Sequence, residues 1–204
     1  MVAKRDDWIS PQEYLRIDRE SSDVKYEYVD GRIYAMAGGT INHDQIYTNV
    51  TALLYPYVQD RCRLFSNVRL QTPGEQYFYP DITVSCNSLD WQGRGQKDTF
   101  FSPCLIMEVL SPRSTESYDR REKFTYYQEF PTLQEYVLIN TRRQLVEVYR
   151  RQGAKWAYEK LGPDQELELV TIGLTIPVAT LYKLTEVPVK PQWRSIRNEN
   201  TPSS

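Results

Sequence analysis

Apolar and polar positions alternate or recur along this chain with periods that predict most of its elements. Ser10-Pro11-Gln12-Glu13 reads as a helix start, with Ser10 at the cap, Pro11 in the first turn and Glu13 three residues after the cap. Tyr26 to Tyr28 and Arg32 to Met36 flank Asp30-Gly31, a strong two-residue hairpin signal. From about His43 to Gln59, the residues Ile46, Val50, Leu53, Leu54 and Tyr57 fall at helical spacing, and Pro56 bends or ends that helix near its last turn. Strands are predicted over about 63–71, 79–86 and 104–110, with a glycine-rich loop at Asp90 to Gly95 between the last two. A helix from about 119 to 130 follows, opened by Asp119 with Glu122 and stopped by Pro131. Tyr136 to Ile139, Leu145 to Tyr149, Trp156 to Leu161 and Leu167 to Ile172 are further strands. The order of elements is α+β. Residues 1–187 are expected to form one domain, and the Pro- and Ser-bearing stretch 188–204 a disordered tail.

Two of these strands carry an acid where an apolar residue is expected. Leu105-Ile106-Met107-Glu108-Val109-Leu110 has the pattern of a buried strand, so the Glu108 carboxylate must be paired or face a cavity. Tyr79-Pro80-Asp81 places a second acid at the head of Ile82-Thr83-Val84. Two carboxylates on neighbouring strands are what phosphodiester hydrolysis asks for, because hard oxygen ligands select Mg²⁺ or Mn²⁺. The same reaction uses a lysine near the attacked phosphate. The residue two places after Glu108, on the same strand face, is Leu110, and the lysine left to fill that role is Lys123 on the following helix. Arg113, Arg120 and Arg121 cluster nearby and can grip phosphates. Plainer readings compete with each of these: a salt-bridged core acid for Glu108, a solvated helix lysine for Lys123, a surface ion-pair network for the arginines.

Composition narrows the setting. The chain has 204 residues, 40% hydrophobic and 25% charged, with a net charge of −2. A pI near 5.6 excludes a general polycation, so contact with nucleic acid has to come from a local basic patch. No run approaches the roughly 18 apolar residues of a membrane span, and the first residues carry no apolar signal segment. The three cysteines, Cys62, Cys86 and Cys104, form no CxxC pair and are odd in number. Neither a zinc site nor a disulfide framework is expected, and a cytoplasmic location is.

With Asp81, Glu108 and Lys123 in hand, the chain resembles the Uma-type restriction endonucleases, a bacterial family of the PD-(D/E)XK nuclease superfamily. The residues that carry the resemblance are Tyr26 to Gly31, Asn42-His43, Tyr79 to Ile82, Met107 to Pro112, Asp119 to Phe124 with Tyr126-Tyr127, and Glu135 to Ile139, in the family's order. The resemblance implies a restriction-endonuclease-like mixed β-sheet flanked by helices, an α/β-type core, with the active site at one sheet end. It implies Asp81 as the motif aspartate, Glu108 as the motif glutamate and Lys123 as a migrated equivalent of the strand lysine. It places Glu27 near the site as an outer metal ligand, where a plain hairpin acid beside Lys25 is the competing reading. His43, the sole histidine, also falls near the site, as a base or as a structural hydrogen-bonder. The implied activity is that of a Mg²⁺-dependent (or Mn²⁺-dependent) DNA endonuclease, working as a homodimer because cutting both strands needs two sites. The rival is a non-catalytic nucleic-acid-binding or protein-interaction module on the same fold, and a third reading is a metal-dependent phosphodiesterase acting on RNA or nucleotides.

Overall fold

The computed structural model of the protein describes residues 8–36, 38–92, 98–110 and 122–189. The Ser10 hydroxyl accepts the Glu13 N–H and starts α1 (Pro11–Glu20) as expected. β1 (Tyr26–Val29) and β2 (Arg32–Ala35) form the predicted hairpin. Its turn needs two positive φ angles, met by Asp30 at 48° and Gly31 at 82°. α2 (Ile41–Val58) is capped by the Thr40 side chain and ends two residues after Pro56. Its buried stripe is Ile46, Val50, Leu54 and Val58. Tyr57, expected on that stripe, is exposed, because a spacing of four from Leu54 brings Val58 to the core instead.

The rest of the chain gives β3 (Arg63–Ser66), β4 (Arg69–Gln71), β5 (Tyr77–Phe78), β6 (Ile82–Ser85), α3 (Leu89–Gln92), β7 (Thr99–Phe100), β8 (Pro103–Leu110), α4 (Phe124–Tyr127), β9 (Glu135–Asn140), β10 (Val146–Gln152), β11 (Lys155–Leu161), β12 (Glu166–Leu169), β13 (Leu174–Pro177) and α5 (Val178–Leu181). The stretch 63–71 is two strands, not one. Asn67 takes a positive φ of 53°, and the chain leaves one sheet for another there. The predicted loop at Asp90 begins as the short α3. The expected helix start at Asp119 and the tail from residue 190 lie outside the described residues.

Six strands form a mixed sheet in the order β11-β10-β9-β8-β6-β3, antiparallel except for the β8/β9 pair. One face packs Ile82, Val84, Leu105, Met107 and Val109 against the α2 stripe. The other face packs Ile106, Leu110, Tyr136 and Leu138 against Phe124, Tyr127 and Phe130, and against Leu70, Phe78 and Phe100 of a five-stranded sheet ordered β2-β1-β5-β4-β7. α1 seals the hairpin through Tyr14, Tyr26, Tyr28, Ile33 and Tyr77. This is the mixed sheet flanked by helices that the resemblance implies, and Glu108 lies on the face between the two sheets.

The cysteines require a correction. Cys62 and Cys86 are joined as a disulfide, with Cα atoms 4.1 Å apart. The cause is register. Arg63 pairs with Ser85, so the next residues outward on β3 and β6 meet across the pair, a relation that cysteine spacing alone does not reveal. Cys104 is free. Its burial pushes the thiol up to about 11. Among the described residues, no helix is long and apolar enough to cross a membrane.

Candidate active site

Asp81 and Glu108 meet because β6 and β8 are paired in register. Ile82 faces Met107 and Thr83 faces Ile106, so the next pair outward is Asp81 with Glu108. Directly opposed residues of an antiparallel pair share a face. Each acid is tied to the backbone of the other strand: the Val109 N–H donates to Asp81 Oδ2 at 2.8 Å, and the Asp81 N–H donates to Glu108 Oε2 at 3.2 Å. The two carboxylates are fixed by main-chain donors, which sets their orientation without needing a long side chain to be ordered.

Lys123 enters from the other side. Its ammonium lies 2.9 Å from Glu27 Oε1 and 3.4 Å from Glu108 Oε1, with the Phe78 ring 6.0 Å away. It is not a solvated helix lysine; its side chain is 6% exposed, and those of Glu108 and Glu27 are 5% and 2% exposed. Tyr127, four residues on and hence on the same side of a helical turn, donates its O–H to Glu108 Oε1 at 3.1 Å. Sequence reasoning attached no role to Tyr127, although its spacing from Lys123 was the available signal. Glu27 also accepts the Tyr79 N–H at 3.2 Å. Tyr79, likewise given no role, thereby links the β1 acid to the Asp81 segment.

His43 sits in the first turn of α2 and brings Nε2 to 3.3 Å from Asp81 Oδ2. Burial of the ring opposes its protonation. The hydrogen bond and charge of Asp81, with Asp44 and a backbone bond to Val109, outweigh burial and raise its pKa above the ordinary histidine value. Gly39 packs against this ring: a Cβ there would lie 2.8 Å from His43 Nδ1. Glu27, His43, Asp81, Glu108 and Lys123 are thus brought to one place by β1, α2, β6, β8 and the turn before α4. Arg113, Arg120 and Arg121 lie outside the described residues.

Among the described residues, no group of three or more His, Cys, Asp or Glu side chains is arranged to hold a metal ion. The donor set is two carboxylates, each bonded to the main chain of the other's segment. That fits Mg²⁺, which keeps most of its waters and is commonly held by one or two carboxylates together with substrate phosphate. Asp81 is the more reachable of the two, with its side chain 15% exposed, and the hydrogen bonds it accepts among the described residues all fall on Oδ2.

Comparison with known proteins adds to this geometry. Residues 11–181 match the model of the family Uma2, described as "Putative restriction endonuclease". The chain is 36% identical to the uncharacterized protein slr1290 of Synechocystis over 181 residues, which is 86% of this chain and 92% of that protein. It is 34% identical to the uncharacterized protein sll1609 of the same organism over 173 residues, 82% of this chain and 96% of that protein. The fold is similar to the crystal structure of a "putative nuclease belonging to DUF820" from Anabaena variabilis, with a TM-score of 0.67 and 22% identity, covering 85% of this chain and 97% of that one.

Proposed function

This chain belongs to the Uma2 family, and from that premise we propose that it is a metal-dependent endonuclease hydrolysing phosphodiester bonds in DNA. The observation that carries the reading is the mutual tie of Asp81 and Glu108, the Asp81 N–H on Glu108 and the Val109 N–H on Asp81, with the Lys123 ammonium 3.4 Å from the second acid. Asp81 and Glu108 are the residues that would hold Mg²⁺ or Mn²⁺. Such a cation, when bound, supplies hydroxide near neutral pH and offsets the negative charge that builds on the attacked phosphate. Lys123 stabilises that charge and orients the attacking water. The Val109 N–H and His43 hold the Asp81 carboxylate in one orientation; Tyr127 and the Asp81 N–H do the same for Glu108. Cutting both strands of a duplex takes two such sites, so the working form is a homodimer. Arg113, Arg120 and Arg121 are assigned to phosphate contacts.

One observation favours the rival, a binding module that does no chemistry: Lys123 closes ion pairs with both Glu27 and Glu108, a self-contained core cluster. Plasmid cleavage with Mg²⁺ or Mn²⁺ decides between them. Wild type is expected to nick or cut supercoiled DNA, and Asp81→Asn to lose about 100-fold or more of that activity while keeping DNA binding. Salt-sensitive binding by wild type without cleavage on varied DNA would establish the binding module instead.

A further inference from the structure

Glu27 differs from the other two acids of the site in where it stands and what it touches. Its side chain is 2% exposed, against 15% for Asp81. It comes from β1 in the five-stranded sheet, whereas Asp81 and Glu108 come from the ends of the six-stranded one. Its Oε1 is ion-paired to Lys123 Nζ at 2.9 Å and accepts from the Tyr79 N–H at 3.2 Å. Lys123 lies closer to Glu27 than to Glu108 at 3.4 Å. Tyr79 is itself braced, since its hydroxyl is bonded to the buried Asp18 carboxylate.

We infer that Glu27 is a positioning residue that acts through Lys123, fixing the ammonium beside Glu108, and is not a ligand of the cation. The inference rests on the nuclease reading of the site. An ammonium has three N–H donors on a stem of four rotatable bonds, so one carboxylate contact leaves it free to swing. Carboxylates from two different sheets fix two of its directions, and the tetrahedral geometry then sets the third. Glu27 thereby converts a mobile point charge into an oriented one. Its Oε1 is engaged with the Lys123 ammonium and with the chain at Tyr79.

The test is Glu27→Gln, which keeps the size and an acceptor oxygen and removes the charge. Mn²⁺ binding without DNA, read by calorimetry, should persist within about tenfold of wild type in Glu27→Gln, whose ammonium has lost a counterion, and collapse in Asp81→Asn. Plasmid cleavage should fall about 100-fold in kcat with KM nearly unchanged, the signature of a misplaced group and not of lost binding. Glu27→Gln added to Lys123→Met should cost no more than Lys123→Met alone, because both remove one interaction. Should Glu27→Gln fail to fold, Glu27→Met with Lys123→Met replaces the buried pair by apolar groups of similar size, a change proteins often tolerate, and it too should keep Mn²⁺ binding within about tenfold of wild type. Loss of Mn²⁺ binding in Glu27→Gln or in the double methionine variant, additive losses of kcat, or a change confined to KM would each overturn the inference alone. Wild type that neither cuts DNA nor binds Mn²⁺ better than Asp81→Asn would overturn the nuclease reading, and the inference with it.

Discussion

Two buried clusters of acids and bases meet at the segment Tyr79–Asp81, and they are built on different terms. In the first, Asp18 accepts from Arg69 Nε at 3.0 Å, from a second Arg69 nitrogen, from the Tyr79 hydroxyl and from the Tyr26 N–H at 2.9 Å. Arg69 also reaches Asp98 at 2.9 Å, and Arg19 bonds the same carboxylate at 2.9 Å. Burial of Asp98 works against its charge, but the hydrogen bonds from Arg19 and Arg69 hold it down at about 2. Two arginines meet two aspartates, and α1 is locked to β4 and β7. In the second cluster, among the described residues, Glu27, Asp81 and Glu108 surround one ammonium, Lys123, and one imidazole, His43. The guanidinium fork matches carboxylates in a fixed plane and keeps its charge; the ammonium is a point charge on a flexible stem. The first cluster is a brace. Among the described residues the second holds more acid than base, and one of its acids reaches solvent. Charge balance and access, not burial, separate a structural network from a site that can take a cation.

The contrast is open to attack from the structural side first. Arg69→Met leaves Asp18 buried beside two tyrosine hydroxyls without its counterion, so it is expected to cost about 3–5 kcal/mol in urea unfolding. A variant as stable as wild type would mean that the brace holds nothing. Lys123→Met is expected to cost a similar amount without divalent cation, about 3–5 kcal/mol, because it leaves the buried Glu27 and Glu108 carboxylates without that counterion. The sharper expectation is the response to Mn²⁺. Removing the ammonium draws the cation more strongly to the acids, so Mn²⁺ should narrow the gap between Lys123→Met and wild type. The gap for Arg69→Met should stay as wide, since its site is intact and gains only what wild type gains. Thermal melts of the three proteins with and without Mn²⁺ check this.

What could be read in the sequence was local. The apolar run from Leu105 to Leu110 announced a buried strand, and the acid inside it announced itself. The Asp30-Gly31 turn, the Ser10 cap and the α2 stripe depend on neighbours a few residues apart, and apart from Tyr57 at the end of the stripe they stand where the pattern puts them. The pairing of Glu27 with Lys123 was not legible, because it joins β1 to the turn before α4 across almost half of the chain. Lys123, beside Glu122 and Arg121, has the look of a solvated residue, and only packing beneath Phe78 and Tyr127 buries it. Asp18 sits in Arg16 to Glu20, a run that reads as a surface, and nothing local marks it as the hub of a brace. The Cys62–Cys86 bond and the division of 63–71 between two sheets both follow from register, which composition and spacing do not fix.

The smallest expected effect is also the most selective. His43 joins α2 to the open cluster through Asp81, and as the sole histidine of the chain it has no counterpart in the brace. The His43 pKa is raised, so the folded protein binds the imidazole proton more tightly than the unfolded chain does. The stabilisation this gives is fully present below the ordinary histidine value of about 6.5 and is lost as pH rises through the higher folded value. NMR titration of the single imidazole should show a midpoint above that ordinary value. Asp81→Asn should lower the midpoint, since burial, which opposes the charged ring, then acts with less against it. Asp98→Asn, a change in the brace, should leave it in place. Added Mg²⁺ should lower it in wild type and not in Asp81→Asn, because a cation at Asp81 competes with the imidazolium for the same carboxylate. A midpoint that follows Asp98 as closely as Asp81 would show that the two clusters are one electrostatic unit, and the division between brace and site would not stand.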